Sequence, residues 1–243
     1  MGDLIKELEN VLRYYKIAYS DKILLEGVLA DPRIEPPPKP LPDRARPLKP
    51  RARNKVIMPV FSGEMQKYYE EIRNCTKCPL SRSRTNFVFG IGNSNADIMF
   101  VGEAPGKDED EQGIPFVGRA GQLLNKMLQA IGLDREEIFI ANILKCRPPD
   151  NRDPLPDEVL QCEPHLKKQI EIISPKVIVA LGRIAGQVLL KREKETLKNL
   201  RRTVHQYNDL PFIVTYHPAA LLRNPNWKKE AWQDLKKIRK YLS

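Results

Sequence analysis

The sequence predicts an α/β protein: a three-layer α/β/α sandwich around a four-stranded parallel sheet, preceded by an N-terminal helix and a Pro-rich linker. Three observations predict it. Short apolar runs at 98–101, 138–144, 177–181 and 212–216 have strand length and stop at turn residues. Helical patterns at about 121–131, 156–173, 183–190 and 226–241 alternate with those runs, and such alternation implies parallel strands with helices on both faces. The first 60 residues do not show this alternation.

Three segments are expected. At 1–30, Leu4, Ile5, Leu8, Val11, Leu12 and Tyr15 fall on one helical face, read as a docking face. At 31–61 lies a linker: residues 31–60 hold nine of the 21 prolines, with basic residues in excess, so a semi-extended spacer is expected. The compact domain is expected at 62–243, opening with a helix at about 64–73.

With 243 residues, 41% of them hydrophobic, the chain can bury a core. No run approaches the roughly 18 apolar residues of a membrane span. The start, MGDLIKELENVL, is acidic and amphipathic, unlike a signal peptide, and Lys6 stands where myristoylation wants Ser or Thr. A cytoplasmic, monomeric protein with no membrane partner is expected. The net charge of +10 persists despite 31 acidic residues, the footprint of a polyanion binder. Composition alone does not separate nucleic acid from an anionic surface.

In an open α/β sheet, ligands bind beyond the carboxyl ends of the strands. Those ends carry Gly102-Glu103-Ala104, then Asn142, then Gly182-Arg183, then His217-Pro218. A carboxylate, an amide, a glycine turn and an imidazole should meet at one edge. The first turn runs into an acidic stretch, Asp108 to Glu111, read as a solvated connector. His217 is read as functional by its place after a strand, and His165 and His205 as incidental. Leu221, Leu222 and Arg223 form two apolar groups beside a cation, suited to wedge into DNA and anchor a phosphate. Leu123, Leu124, Met127, Leu128 and Ile131 form a helical stripe and are read as core.

Four cysteines in a reducing compartment suggest a metal site more than disulfides. Cys75 and Cys78 form a chelating pair, while Cys146 and Cys162 stand far apart. Zinc, an iron–sulfur cluster and free thiols all remain open; the wide second pair favours [4Fe–4S] over a zinc ribbon.

GEAPG at 102–106, PFVGRAGQLL at 115–124, NILKCRPP at 142–149 and HPAALLRNP at 217–225 resemble family 4 uracil-DNA glycosylases. The resemblance runs from about Tyr69 to the C-terminus and leaves the first 60 residues outside. It implies hydrolysis of the N-glycosidic bond of deoxyuridine in single- or double-stranded DNA, with release of uracil, as in base excision repair. It implies that Cys75, Cys78, Cys146 and Cys162 hold a [4Fe–4S] cluster. Flipping the base out of the stack would bring it onto Phe116. Asn142 would read N3–H and O4, and the backbone of Gly102, Glu103 and Ala104 would hold a carbonyl. His217 would stabilise the leaving anion, and Glu103 would orient water or support the sugar cation. Glu109 or Asp110 would line the C5 side. The turn carboxylate argues against family 5, and the short RPPDNRD loop against the covalent uracil-binding branch. The N-terminal helix would dock on a replication or repair protein.

Overall fold

The protein is described from a computed structural model, which covers residues 61–241. The expected N-terminal helix and nearly all of the linker lie outside the described residues. Two central strands, β2 (Ile98–Gly102) and β4 (Val177–Leu181), are buried at every position, as is β3 (Phe139–Asn142). A strand covered on both faces has no polar side, which is why IMFV and VIVAL read as continuous apolar runs.

The three strands and β6 (Leu210–Thr215) form the parallel centre of the sheet. The sheet has six strands, in the order β1 (Ile91–Gly92), β3, β2, β4, β6, β5 (His205–Tyr207), not the four expected. The two additions are antiparallel edges: β1 on β3, and β5 on β6. Neither is long enough to show an apolar run. The hairpin between β5 and β6 turns through Asn208 and Asp209, at φ 46° and 64°; two consecutive left-handed residues match the twist of paired strands.

Alternate side chains leave the sheet in opposite directions. Met99, Val101, Ile178 and Ala180 pack with Met65 and Ile72 of α1 (Gly63–Ile72), Leu166 and Ile170 of α4 (Pro156–Ile173), and Leu189 of α5 (Arg183–Leu190). Ile98, Phe100, Val177 and Val179 pack with Leu124 and Leu128 of α3 (Arg119–Gln129), and Leu235 and Ile238 of α8 (Lys228–Arg239). These are the expected three layers. Short helices α2 (Lys107–Gln112), α6 (Leu197–Leu200) and α7 (Pro218–Arg223) complete them. Among the described residues, no helix is long and apolar enough to cross a membrane.

Behind β6 lies a buried ionic network. Asp234 accepts from Arg201 Nε at 2.7 Å and from Thr215 Oγ1 at 3.0 Å. Removing one partner of a buried pair strands the other charge away from water. Asp234→Ala should therefore destabilise the domain by about 3–5 kcal/mol. Chemical denaturation should show a lower midpoint at an unchanged slope.

Candidate active site

Gly102 of β2 pairs in register with Asn142 of β3, so the two strands end level and their loops open at the same edge. There a cleft of about 410 Å³ is lined by Glu103, Ala104, Phe116, Asn142, His217 and Arg223, among others. These six, with Glu109, are the site residues named from the sequence that share this cavity.

Asn142 is 2% exposed, and its Oδ1 has no hydrogen-bond partner. A buried acceptor left unpaired costs about 1–3 kcal/mol, so it marks a place where a ligand donor belongs. Its backbone is fixed from below: fully buried Lys145 donates from Nζ to Asn142 O at 2.9 Å and to Gln169 Oε1, and Gln169 Nε2 donates to Phe89 O. Lys145 was missed in the sequence, although a lysine inside the largely apolar run IANILKC is an anomaly that asks for a partner. Gly102 makes the close approach possible. A Cβ there would lie 2.3 Å from Asn142 Oδ1 and 2.8 Å from Phe116 Cζ.

Phe116 is a non-glycine residue held at φ 54°, a backbone region that costs energy and persists only where neighbours enforce it. Three contacts enforce it. Arg135 donates to the carbonyls of Pro115 and Phe116. Glu109 Oε1 accepts from Val117 N at 2.9 Å and Gly118 N at 3.0 Å, capping the open N-terminus of α3. Gly121 lets α3 press on the turn, since a Cβ there would fall 1.8 Å from Phe116 O. The expected solvated connector is corrected accordingly. Glu109 holds the Phe116 turn, and buried Asp110 accepts from Thr85 N and Asn86 N. With its carboxylate so engaged, Asp110 is a structural tie, whereas Glu109 does line the cleft.

The Phe116 and His217 rings lie 5.5 Å apart. His217 caps α7: its Nδ1 accepts from Ala219 N at 3.1 Å, so Nε2 carries the proton of the neutral ring. Burial, and then the Arg223 cation, pull its pKa down to about 4. The site thus holds a neutral imidazole donor at physiological pH.

Glu103 is shifted the other way, up to about 7. Burial dominates, Asp153 adds to it, and Arg183 opposes it. Asp153 reaches the cleft on the RPPDNRD loop, none of whose residues the sequence placed in the site, together with Pro148, Asn151 and Arg152. That loop is pinned by Glu158, which binds Arg152 through both oxygens and accepts from Leu155 N at the start of α4. If the Glu103 carboxylate is the working form, kcat/KM should rise with pH to a plateau, with an acid-limb pKa near 7. Below that pKa the rate should fall about tenfold per pH unit. Glu103→Gln should be slow and lack this limb, and a pH–rate profile of both proteins checks it.

Leu221 is 1% exposed and packs in the α3/α8 layer, so it is core and not a DNA wedge. A helix that caps on His217 turns one side inward. Only Leu222 and Arg223 of the expected trio face solvent.

The four cysteines are free, with Cys146 and Cys162 buried. They share one electrostatic neighbourhood: Cys146 feels Cys75 and Cys78, and Cys162 feels Cys146 and Cys78. N–H groups point at two of the sulfurs, and a ring nitrogen of His165 lies against a third. Arg84 Nη1 lies 3.1 Å from Cys146 Sγ, Lys145 N lies 3.3 Å from Cys162 Sγ, and His165 Nε2 lies 3.3 Å from Cys75 Sγ. His165 is therefore not incidental. His205 binds Leu200 O, a structural contact. Among the described residues, no three His, Cys, Asp or Glu side chains converge on a single-ion position.

A buried, unpaired amide acceptor beside an aromatic ring and a neutral imidazole defines a site for a planar heterocycle bearing N–H and carbonyl groups. A carboxylate, that of Glu103, lines the same cleft. The chain belongs to the uracil DNA glycosylase superfamily, which it matches over residues 89–236, and groups with the type-4 members. A type-4 uracil-DNA glycosylase of Archaeoglobus fulgidus is 49% identical over 175 residues, covering 69% of this chain and 88% of the relative. Its counterpart in Sulfurisphaera tokodaii is 48% identical over 183 residues, 72% of this chain and 83% of the relative. That of Saccharolobus solfataricus is 46% identical over 182 residues, 72% and 84% of the two chains.

Proposed function

We propose that the domain at 62–243 flips deoxyuridine out of DNA and hydrolyses its N-glycosidic bond, releasing uracil and leaving an abasic site for repair. The observation that carries this is the unpaired Oδ1 of buried Asn142 beside the Phe116 ring. Oδ1 accepts from uracil N3–H, and the amide nitrogen donates to O4. Cytosine presents the inverse pattern at both positions, so it would leave two buried groups unpaired. Phe116 stacks on the extruded base.

As the bond from C1′ to N1 breaks, its electron pair stays on uracil and the sugar becomes cationic. His217 Nε2–H donates to the O2 of the departing anion, and a neutral donor suits a product that is not itself protonated in the step. Glu103, as carboxylate, orients the water that adds to C1′ and takes up its proton, while its charge steadies the sugar cation. Asp153 adds negative potential on the same side.

Cys75, Cys78, Cys146 and Cys162 are the ligands we assign to a [4Fe–4S] cluster. An all-thiolate donor set, N–H donors aimed at two sulfurs and the His165 ring against a third support it. Such a cluster would supply a rigid cross-link between the segment at 75–78, the loop after β3 and α4. It would brace Lys145 and, through it, Asn142. The purified protein should be brown, absorb near about 400 nm and lose that band in Cys162→Ser. Zinc in place of iron on metal analysis would overturn the cluster assignment.

The function is tested with an oligonucleotide carrying one uracil. Free uracil and an alkali-labile abasic site should appear, and the matched cytosine and thymine strands should stay intact. Intact activity in both Asn142→Ala and His217→Ala would defeat the assignment of the site.

A further inference from the structure

We propose that Trp227 is a stacking platform for an unpaired DNA base flanking the excised nucleotide, and that the basic face of α8 guides the strand carrying it. The inference rests on DNA being the substrate. Its geometry is independent of the uracil cleft.

Trp227 lies in the short 3-10 turn Pro225–Trp227, just after α7. Its ring is stacked on Tyr216, with centroids 5.1 Å apart and planes at 20°. Tyr216 is in turn immobilised. The Arg201 guanidinium sits 4.1 Å from its ring centre, and its hydroxyl donates to Glu230 at 2.8 Å. Arg201 is itself locked by Glu230 and Asp234. The column Arg201–Tyr216–Trp227 is therefore rigid, yet its outer member remains 38% exposed. A flat, fixed, solvent-facing indole offers a π-face whose loss of freedom on binding is already complete.

Position and charge select the occupant. Tyr216 directly precedes His217, and Trp227 follows Arg223 by four positions, so two short segments of chain tie the platform to residues that line the cleft. Lys229, Lys236 and Arg239 are exposed along α8. The acids of that helix, Glu230 and Asp234, are taken up by Arg201, Tyr216 and Thr215, which leaves the outward field positive. Aromatic faces beside cations hold single strands, because every base has a π-face and every phosphate a charge. A base inside a duplex has both faces covered by its neighbours. Only an unpaired base can take the indole, which commits the occupant to single-stranded or locally opened DNA.

The chain has two tryptophans, so Trp232→Phe leaves Trp227 as the sole indole reporter. Titrating that protein with uracil-free oligothymidylate should quench its fluorescence saturably, and a duplex of equal length should quench it far less. Trp227→Ala should weaken oligothymidylate binding about tenfold, and Trp227→Phe should stay within about threefold of the parent. On single-stranded uracil substrate, Trp227→Ala should raise KM about tenfold with kcat unchanged. Unquenched fluorescence at saturating strand, or unchanged affinity in Trp227→Ala, would overturn the platform. The quenching assay keeps Trp227 in place and so does not depend on the folding of Trp227→Ala. Quenching without uracil release would sink the glycosylase reading and leave the platform standing. Uracil release with an unquenched Trp227 would do the reverse.

Discussion

Asn142→Ala should lower kcat/KM for uracil release by about 10²- to 10³-fold, with the fold intact. Two hydrogen bonds are lost, one to N3–H and one to O4, and each is worth about 1.5–2 kcal/mol in a dry site. The change should fall on kcat/KM under single-turnover conditions, because the bonds hold the base in the pocket throughout the reaction. The fold should survive because Lys145 anchors the backbone carbonyl of residue 142, not its side chain. Free uracil should also inhibit the variant less. An unchanged rate with unchanged uracil inhibition would show that some other group reads the base.

His217→Ala should cost about 10²- to 10³-fold in kcat, the usual effect of deleting a donor aimed at developing charge. Its pH dependence separates the two roles at the site. The His217 pKa, pulled down to about 4, lies below the acid limb assigned to Glu103 at about 7. An imidazole with a depressed pKa is neutral at every pH well above that value. The imidazole therefore contributes no titration across the working range. His217→Ala should be slow at all pH values and keep the limb near 7, whereas Glu103→Gln should lose that limb. A limb that vanished in His217→Ala would transfer the titration to the imidazole and overturn the neutral-donor role.

Much of the centre of the fold was legible in sequence. Apolar runs such as IMFV and VIVAL announce buried parallel strands because no polar face is tolerated there. The edges were not legible. Ile91–Gly92 and His205–Tyr207 are shorter than any window in which periodicity shows, and they exist because a neighbouring strand offers unpaired backbone. Leu221 and the acidic stretch failed for another reason. A polar or apolar side chain near a loop has no fixed direction in sequence. The capping of α7 by His217 turned Leu221 inward, and the open N-terminus of α3 drew in Glu109.

By itself the sequence determined which residue types stand at the strand ends, the presence and spacing of four cysteines, and the basic charge, since each follows from local pattern or composition. The tertiary structure decided their states. Register set Gly102 against Asn142 and left Oδ1 unpaired. Burial moved Glu103 up and His217 down. A buried lysine from the cysteine-bearing loop came to hold Asn142 in place. These depend on distance and exclusion of water, which exist only once segments far apart in the chain have packed together.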